Sequence, residues 1–436
     1  MAGVLENFFH LKEHGTDIKT EVMAGLVTFM TVAYIIVVNP AILEAAGIPF
    51  GPSLVATILS AIFGTLIMGV YAKKPIAIAP YMGENAFVAY TVVGVLGYPW
   101  QTALGAVFIS GVLFTILTIS GFRDKMIDAV PNNLKYSFVA GLGLFITFIG
   151  LVNAGIVSLG MEGSPLHVGA LDTMPVALAV LGFLLISVLM IKNVRGAILI
   201  GIIATALLGF VTGVSRVPDS IVSMPPSLAP IFLQLDIVGA LSWGFFAVIL
   251  TMFTMDLMDT MGTLVGVSME AGYMDEEGNL PDMEKPFLAD SLATVFAAIA
   301  GTTTTGAYIE SATGIKEGGR TGLTAVVVAL LFMLGLFFYP LFSAIPAAAT
   351  APALIIVGFQ MMTSIKKIDM NDMTEMVPAM AVIILMSFTY NLGIGLCAGF
   401  VLFPLFKMVS GKGSEVKPIA WGLFVLCSLF FIFYPY

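Results

Sequence analysis

Residues 248–267 read VILTMFTMDLMDTMGTLVGV. As one helix this stretch is long and apolar enough to cross a bilayer. Yet two acids, Asp256 and Asp259, sit in its middle. An aspartate at a membrane-helix centre costs about 2.5–3.5 kcal/mol, while each Leu, Ile, Phe or Val returns only roughly 0.3–0.6 kcal/mol. A cost of that size asks for a function. Asp256 and Asp259 are three apart and share a helix face, and Thr260 and Thr263 extend it by one turn. Met252, Met255, Leu257, Met258 and Met261 cover the rest. The polar stripe is expected to face a water-accessible cavity.

The rest of the chain agrees with a membrane setting. Of its 436 residues 59% are hydrophobic and 10% charged, with mean hydropathy +1.03. Soluble domains carry about 25% charged residues, and so little polar surface would not cover a soluble core of this size. The composition predicts an all-α polytopic membrane protein. A net charge of −9 offers no basic footprint for nucleic acid. Cys397 and Cys427 lie in apolar segments and read as small buried hydrophobes. The opening MAGVLENFFHLKEHGTDIKTEV lacks a signal peptide's basic start and cleavage site, so the first span is expected to direct insertion.

Spanning segments are placed at 20–43, 53–71, 75–95, 100–120, 133–157, 173–191 and 195–214 in the first half. The second half has 236–267, 286–300, 303–316, 320–345, 350–363, 376–390 and 392–410. That makes fourteen; 418–435 is either a further span or an in-plane helix. With a cytoplasmic N-terminus and alternating sides, all eighteen Lys and Arg fall inside except Arg216. This positive-inside pattern supports the map and a multi-pass cell-membrane protein.

The halves echo each other. AVPNNLKYSFVAGLGL resembles AIPAAATAPALIIVGF, and APYMGENAFVAY resembles TTGAYIESATG. Seven segments per half is odd, so the repeats would be inverted, with a site near the midplane at their interface. Segments 3 and 10 are poor helices: KKPIAIAPYMG carries Pro75, Pro80 and Gly83, and AGTTTTGAY is a β-branched run. Each is expected to hold a short extended stretch that turns into a half-helix near Glu84 or Glu310. Such backbone survives at membrane depth only when buried in protein or lining a cavity.

Glu84, Asn85, Glu310 and Ser311 stand at these half-helix starts. Helix capping explains one acid there, not four across the membrane region. Asp290, in KPFLADSLATVF, is a fifth acid, readable as a site residue or as a cap. An ionised carboxylate only accepts hydrogen bonds; a protonated one also donates. Such groups suit a small planar ligand rich in N–H. A phosphate or sulfate site would want Arg or Lys at the midplane, where this sequence has neither. HLKEH at 10–14 resembles a zinc-hydrolase pattern, but His167 is expected on the opposite side, and the stretch reads as an in-plane amphipathic helix. The acidic stretch 270–285 lacks calcium-loop spacing. No metal and no cofactor is expected. Without a Ser-His or paired-histidine arrangement at midplane, nucleophilic catalysis lacks a base. A carrier is favoured over a proton channel or intramembrane enzyme.

Four stretches together, LKEHGTDIKTEVMAGLVTFMTVAYIIVVNP, GENAFVAY, MDLMDTMGTLVGV and GAYIESATGIKEGGRTGLTA, resemble the purine-selective, AzgA-like branch of the nucleobase/ascorbate transporter family. The resemblance spans nearly the whole chain. It implies fourteen segments in two inverted repeats of seven and a cytoplasmic N-terminus at 1–19. A core domain (20–120 and 236–345) would work against a gate domain (121–215 and 346–410), leaving 411–436 as a C-terminal apolar segment. It implies proton-coupled uptake of hypoxanthine, guanine or adenine, with uracil, xanthine or an anion as the alternative cargo and a homodimer left open. The resemblance assigns substrate contacts to Asp259, within acid-x-x-Gly, and to Asp256, Glu310, Asn85 and the backbone of Tyr308 and Ile309. Ala33 would line the pocket by backbone, and Asp290 would serve coupling. Glu84 and Ser311 complete the candidate site, and Glu310, Asp259, Asp256, Asp290 and Glu84 are the candidate proton carriers. The family's pattern in segment 3 is Gly-Met-Gly-Leu-Asn-Ala-Phe; here Tyr81 and Glu84 replace a Gly and an apolar residue.

Overall fold

The computed structural model describes residues 2–121, 130–161, 164–242, 246–271 and 283–433. Helix α1 (Ala2–Phe9) precedes α2 (Ile18–Val32), α3 (Ile35–Glu44) and α4 (Phe50–Val70). Strand β1 (Ile78–Pro80) leads into α5 (Met82–Ala86), which continues as a π-helix, Phe87–Val95. Then come α6 (Trp100–Ser120), α7 (Asn132–Asn153), the hairpin β2 (Val157–Met161) and β3 (Ser164–Val168), α8 (Met174–Ile191) and α9 (Ala197–Thr212). The second half holds α10 (Ile237–Ala240), α11 (Phe246–Ala271), α12 (Glu284–Ala300), β4 (Thr305–Ala307), α13 (Ser311–Lys316) and α14 (Gly322–Gly335). It closes with α15 (Tyr339–Ser343), α16 (Ala347–Met362), α17 (Met373–Phe388), α18 (Leu392–Val409) and α19 (Pro418–Phe433).

Among the described residues nine helical stretches are long and apolar enough to cross a membrane, the first being α2 and α3 together, Ile18–Glu44. Three further apolar helices, Ala197–Thr212, Met373–Phe388 and Pro418–Ile432, are shorter. Helices α8 and α9 turn Leu181, Leu184, Ile191, Ile203, Leu207 and Val211 outward, as a lipid-facing surface requires.

Two expectations need correction. The segment expected at 236–267 is two elements. Asp236 accepts from the Gly239 N–H at 2.8 Å and gives its own N–H to the Gln101 carbonyl at 2.9 Å. That starts α10 as a separate turn parked on α6, and the long helix begins afresh at Phe246. The segment expected at 320–345 is one apolar stretch, Gly322–Ser343, that passes through a 3₁₀ turn, Leu336–Phe338, ahead of Pro340. His10–His14 is a turn, with His10 at φ 54°; the helix in this region is α1, which stops at Phe9. Much of the acidic stretch 270–285 lies outside the described residues.

The helices pack in two groups. In one, α4 contacts α12 and α14, α6 contacts α11 and α12, and α2 contacts α14. In the other, α7 contacts α16 and α17, α16 contacts α8 and α9, and α17 contacts α18. An apolar crevice between α11 and the second group is lined by Leu134, Phe138, Met258, Val382, Leu396 and Phe400. Beyond the spans, Asp372 caps α17 and the Lys412 ammonium, 2.8 Å away, holds its carboxyl well below the usual range.

The two broken segments meet as strands. β1 and β4 pair antiparallel, Ile78 with Ala307, Ala79 with Gly306 and Pro80 with Thr305, and all six residues are buried. Two strands from matching points of inverted halves would have to run antiparallel, as these do. A two-stranded ladder has two open edges, which hydrocarbon cannot satisfy. Threonines on neighbouring helices close them. Thr65 of α4 donates to the Ile78 carbonyl and accepts from the Ile78 N–H, each at 2.9 Å. Thr294 of α12 donates to the Thr305 carbonyl at 3.0 Å and accepts from its N–H at 3.3 Å.

Candidate functional site

Asp290 is the seventh residue of α12, so it does not cap that helix. It is fully buried. One oxygen accepts from the Ala307 N–H of β4 at 2.7 Å, the other from the Thr260 hydroxyl at 2.6 Å. It therefore ties α11, α12 and β4 together.

The stripe on α11 divides. Residues three apart on a helix differ by about 60° in direction, so a stripe this wide has two edges. Asp256 and Thr260 point inward and are buried. The Thr260 and Thr294 hydroxyls lie beside Asp256 but give their protons to Asp290 and to the Thr305 carbonyl. Both Asp256 oxygens are left without a hydrogen-bond partner. Asp259 lies on the other edge and is partly exposed. Beside it Gly262 is exposed, and a Cβ built there would meet nothing within 4 Å. Only this edge of the stripe faces open space.

Glu84, in the first turn of α5, is fully buried, and its carboxyl lies against that of Asp259. Neither Glu84 oxygen receives a hydrogen bond. Its neighbour Asn85 donates through Nδ2 to Asn39 of α3. Asn39 in turn donates to Thr57 at 2.6 Å and Thr302 at 3.0 Å. The amide N–H₂ of Asn85 is thus engaged in the interior, and its Oδ1 is buried without a partner.

Glu310 holds the N-cap position of α13 but makes no side-chain cap bond. Its Oε1 accepts from the Tyr34 hydroxyl at 2.7 Å. Tyr34 lies between α2 and α3, directly after Ala33. Ala33 is buried, and its N–H and C=O are bonded to Phe29 and Ile36; the group that reaches Glu310 from this junction is the tyrosine ring. Ser311 does not cap either: its hydroxyl accepts from the Ala77 N–H at 3.0 Å, ahead of β1. Tyr308 gives its N–H to Ala77 at 2.9 Å and its hydroxyl to the Pro80 carbonyl. Ile309 is 52% exposed, with its end near Gly266 of α11.

Tyr81 stacks on Tyr308 with ring centroids 6.1 Å apart and planes within 10°, and its hydroxyl lies 3.4 Å from Thr260 Oγ1. Its ring rests on Gly306, where a Cβ would collide with Cε2, Cζ and the hydroxyl. Gly306→Ala is therefore expected to expel the ring and cost about 1–3 kcal/mol as overpacking, read as a lower Tm of the purified protein.

Three residues of this site escaped sequence reasoning. Tyr34 and Asn39 sit in the apolar run AYIIVVNPAILE. The signal was there: a buried Tyr hydroxyl or Asn amide must find a partner. Its partner is unreadable from a segment alone. Thr294 carried no signal that sets it apart from any other threonine in a span.

Five membrane acids thus converge, and they are not alike. Glu84, Asp256 and Asp290 are fully buried, while Asp259 and Glu310 are partly exposed. Those two come from packed elements, α11 and α13, and both neighbour Tyr308.

A family model described as "Permease family" (Xan_ur_permease) matches residues 19–432. The chain is 45% identical over 431 residues to the guanine/hypoxanthine permease PbuO of Bacillus subtilis, covering 97% of this chain and 99% of that protein. It is 40% identical over 430 residues to the adenine permease AdeP of Escherichia coli, covering 99% and 95%. Among solved structures it is similar to the transmembrane domain of a cyanobacterium bicarbonate transporter, BicA. The TM-score is 0.63 at 15% identity, covering 87% of this chain and 96% of that one; at that identity the likeness is one of fold.

Proposed function

The chain belongs to the permease family, within the purine-selective branch of the nucleobase/ascorbate transporters, and from that premise we propose that it imports a purine nucleobase with protons. It is a multi-pass membrane transporter, not an enzyme. The named relatives support hypoxanthine, guanine or adenine as cargo. The observation that carries the reading is the contrast among the acids: of the five, Asp259 and Glu310 are partly exposed while the other three are fully buried. Tyr34 holds one Glu310 oxygen and leaves the other to accept from a ring or exocyclic N–H. Asp259 accepts from a second N–H, and Asn85, Ser311 and the Tyr308–Ile309 backbone are the further candidate contacts. Among the described residues the buried basic side chain is Lys407, which is paired with Glu375 and Glu415, so no cation neutralises the acids. Protons then do so, with Asp256, Asp290 and Glu84 behind Asp259 and Glu310 as relay or positioning groups.

For the transport cycle we take the first packing group as the core (20–120 and 236–345) and the second as the gate (121–215 and 346–410). The fourteen spans lie in two inverted repeats in the cell membrane, with the N-terminus in the cytoplasm. The apolar crevice beside Met258 is a surface along which the core slides or rocks without breaking polar bonds.

The test is uptake of radiolabelled hypoxanthine, guanine and adenine into cells or proteoliposomes, with uracil, xanthine and bicarbonate as competitors. Saturable uptake of at least one purine, abolished by a proton uncoupler, is expected. Uptake indifferent to the uncoupler would remove proton coupling. Binding of none of the purines would remove the whole reading.

A further inference from the structure

The fold treats its membrane acids in two ways. Asp290 receives two donated hydrogen bonds and Glu310 receives one, the surroundings an acceptor-only carboxylate needs. Like Asp256, Glu84 receives none on either oxygen, although it is fully buried. An orphaned polar atom at that depth costs about 1–3 kcal/mol unless something satisfies it. The group against it is another carboxyl, Asp259. Two carboxylates in contact repel; a carboxylic acid against a carboxylate forms a strong charge-assisted bond.

Among the described residues no donor to Glu84 is found. From α11, Asp256 and Asp259 face Glu84; from the β4 end, Tyr308 does, but its hydroxyl is given to Pro80. From α3, Asn39 is turned to Asn85, and from α7, Leu142 packs on Gly83. No buried Lys or Arg is among them. Asp259, unlike Glu84, is partly exposed, close to the open space at Gly262, and on the proposed reading gives the pair its route to water.

We propose that Glu84 and Asp259 form a proton-binding pair of their own, holding one H⁺ between them. The pair loads and unloads in each cycle in addition to the proton handled with Glu310 and Asp290. In the loaded state Glu84 donates its O–H to Asp259, which keeps a free lone pair for the purine. In the unloaded state both carboxyls must separate or rehydrate through the Gly262 opening. This inference rests on the proton-coupled purine reading and adds the stoichiometry to it: about two protons per purine, one of them carried by the pair.

The test is the proton-to-purine ratio, read as the reversal potential of hypoxanthine flux in proteoliposomes at a fixed substrate gradient. Wild type is expected to give about two and Glu84→Gln about one, because glutamine keeps the size and the hydrogen-bonding capacity but carries no exchangeable charge. If Glu84→Gln moves no purine, the protons taken up per purine bound are measured on purified protein in weakly buffered solution, where the variant should take up about one fewer. An unchanged ratio and an unchanged proton count would each show Glu84 to be permanently protonated and overturn the pair. Absence of purine-linked proton movement in wild type would instead defeat the transport reading beneath it.

Discussion

Replacing Glu310 by glutamine is expected to lower purine uptake by about 10- to 100-fold while leaving the protein folded. Glutamine still offers an acceptor to the Tyr34 hydroxyl, now 2.7 Å from Glu310 Oε1, so α13 and the α2–α3 junction keep their tie. What is lost is the charge on the oxygen proposed to face the purine. A hydrogen bond to a charged group contributes about 1.5–3 kcal/mol, which converts to that range of affinity. The amide also puts an N–H₂ where a purine N–H must arrive, adding repulsion. Asp259→Asn is expected to fall in the same range, and the double variant to lose less than the product, since both are proposed to contact one ligand. The measurement is initial uptake of radiolabelled hypoxanthine at several concentrations, alongside a thermal-shift curve that confirms folding. Wild-type uptake in both single variants would strip these acids of their roles.

A second large effect is expected away from the cavity, at Glu21. This side chain of α2 is fully buried and accepts from the N–H groups of Arg320 at 2.8 Å, Thr321 at 3.2 Å and Thr324 at 3.1 Å. It also accepts from the Thr324 hydroxyl at 2.6 Å. It caps α14 from another helix, alongside the N-cap residue Thr321, whose hydroxyl accepts from the Leu323 N–H at 3.3 Å, and its carboxyl sits at the positive end of that helix. Glu21→Ala leaves several donors buried with no acceptor. At about 1–3 kcal/mol for each unsatisfied group, partly relieved by water, the cost is about 3–5 kcal/mol. That is expected to lower the Tm in detergent by roughly 10 °C. Glu21→Gln, which keeps one oxygen, should recover part of the loss. Because the turn Gly318–Gly319 joins this cap to α13, uptake should fall with stability. A Glu21→Ala protein as stable as wild type would show that the cap is dispensable.

Several features of the fold were legible in single segments because they depend on local chemistry. A run of apolar residues declares a span wherever it occurs. KKPIAIAPYMG and AGTTTTGAY declare breaks because proline and a β-branched run disfavour a helix in any context. Asp256 and Asp259 declare a function because hydrocarbon penalises them whatever stands opposite. The boundary errors have local causes too: Asp236 starts its own short helix, and His10 turns the chain at positive φ.

The candidate site could be read from the sequence as a list of residues, but not as an arrangement. Glu310 reads as a cap from its own segment, yet its partner Tyr34 is 276 residues away. Ser311 reads as a cap and instead closes the strand before β1. Asp290 had two readings of equal standing until its two donors, from Thr260 and Ala307, excluded the cap.

From the sequence alone came the membrane, the paired breaks in two echoing halves and the five acids, since each is written in residue type and spacing along one segment. Only the tertiary structure decided which acids are satisfied, which are orphaned and which face open space. Helical periodicity gives a side chain its direction, but whether it meets a donor, another carboxyl or a cavity depends on what distant segments bring to the far side.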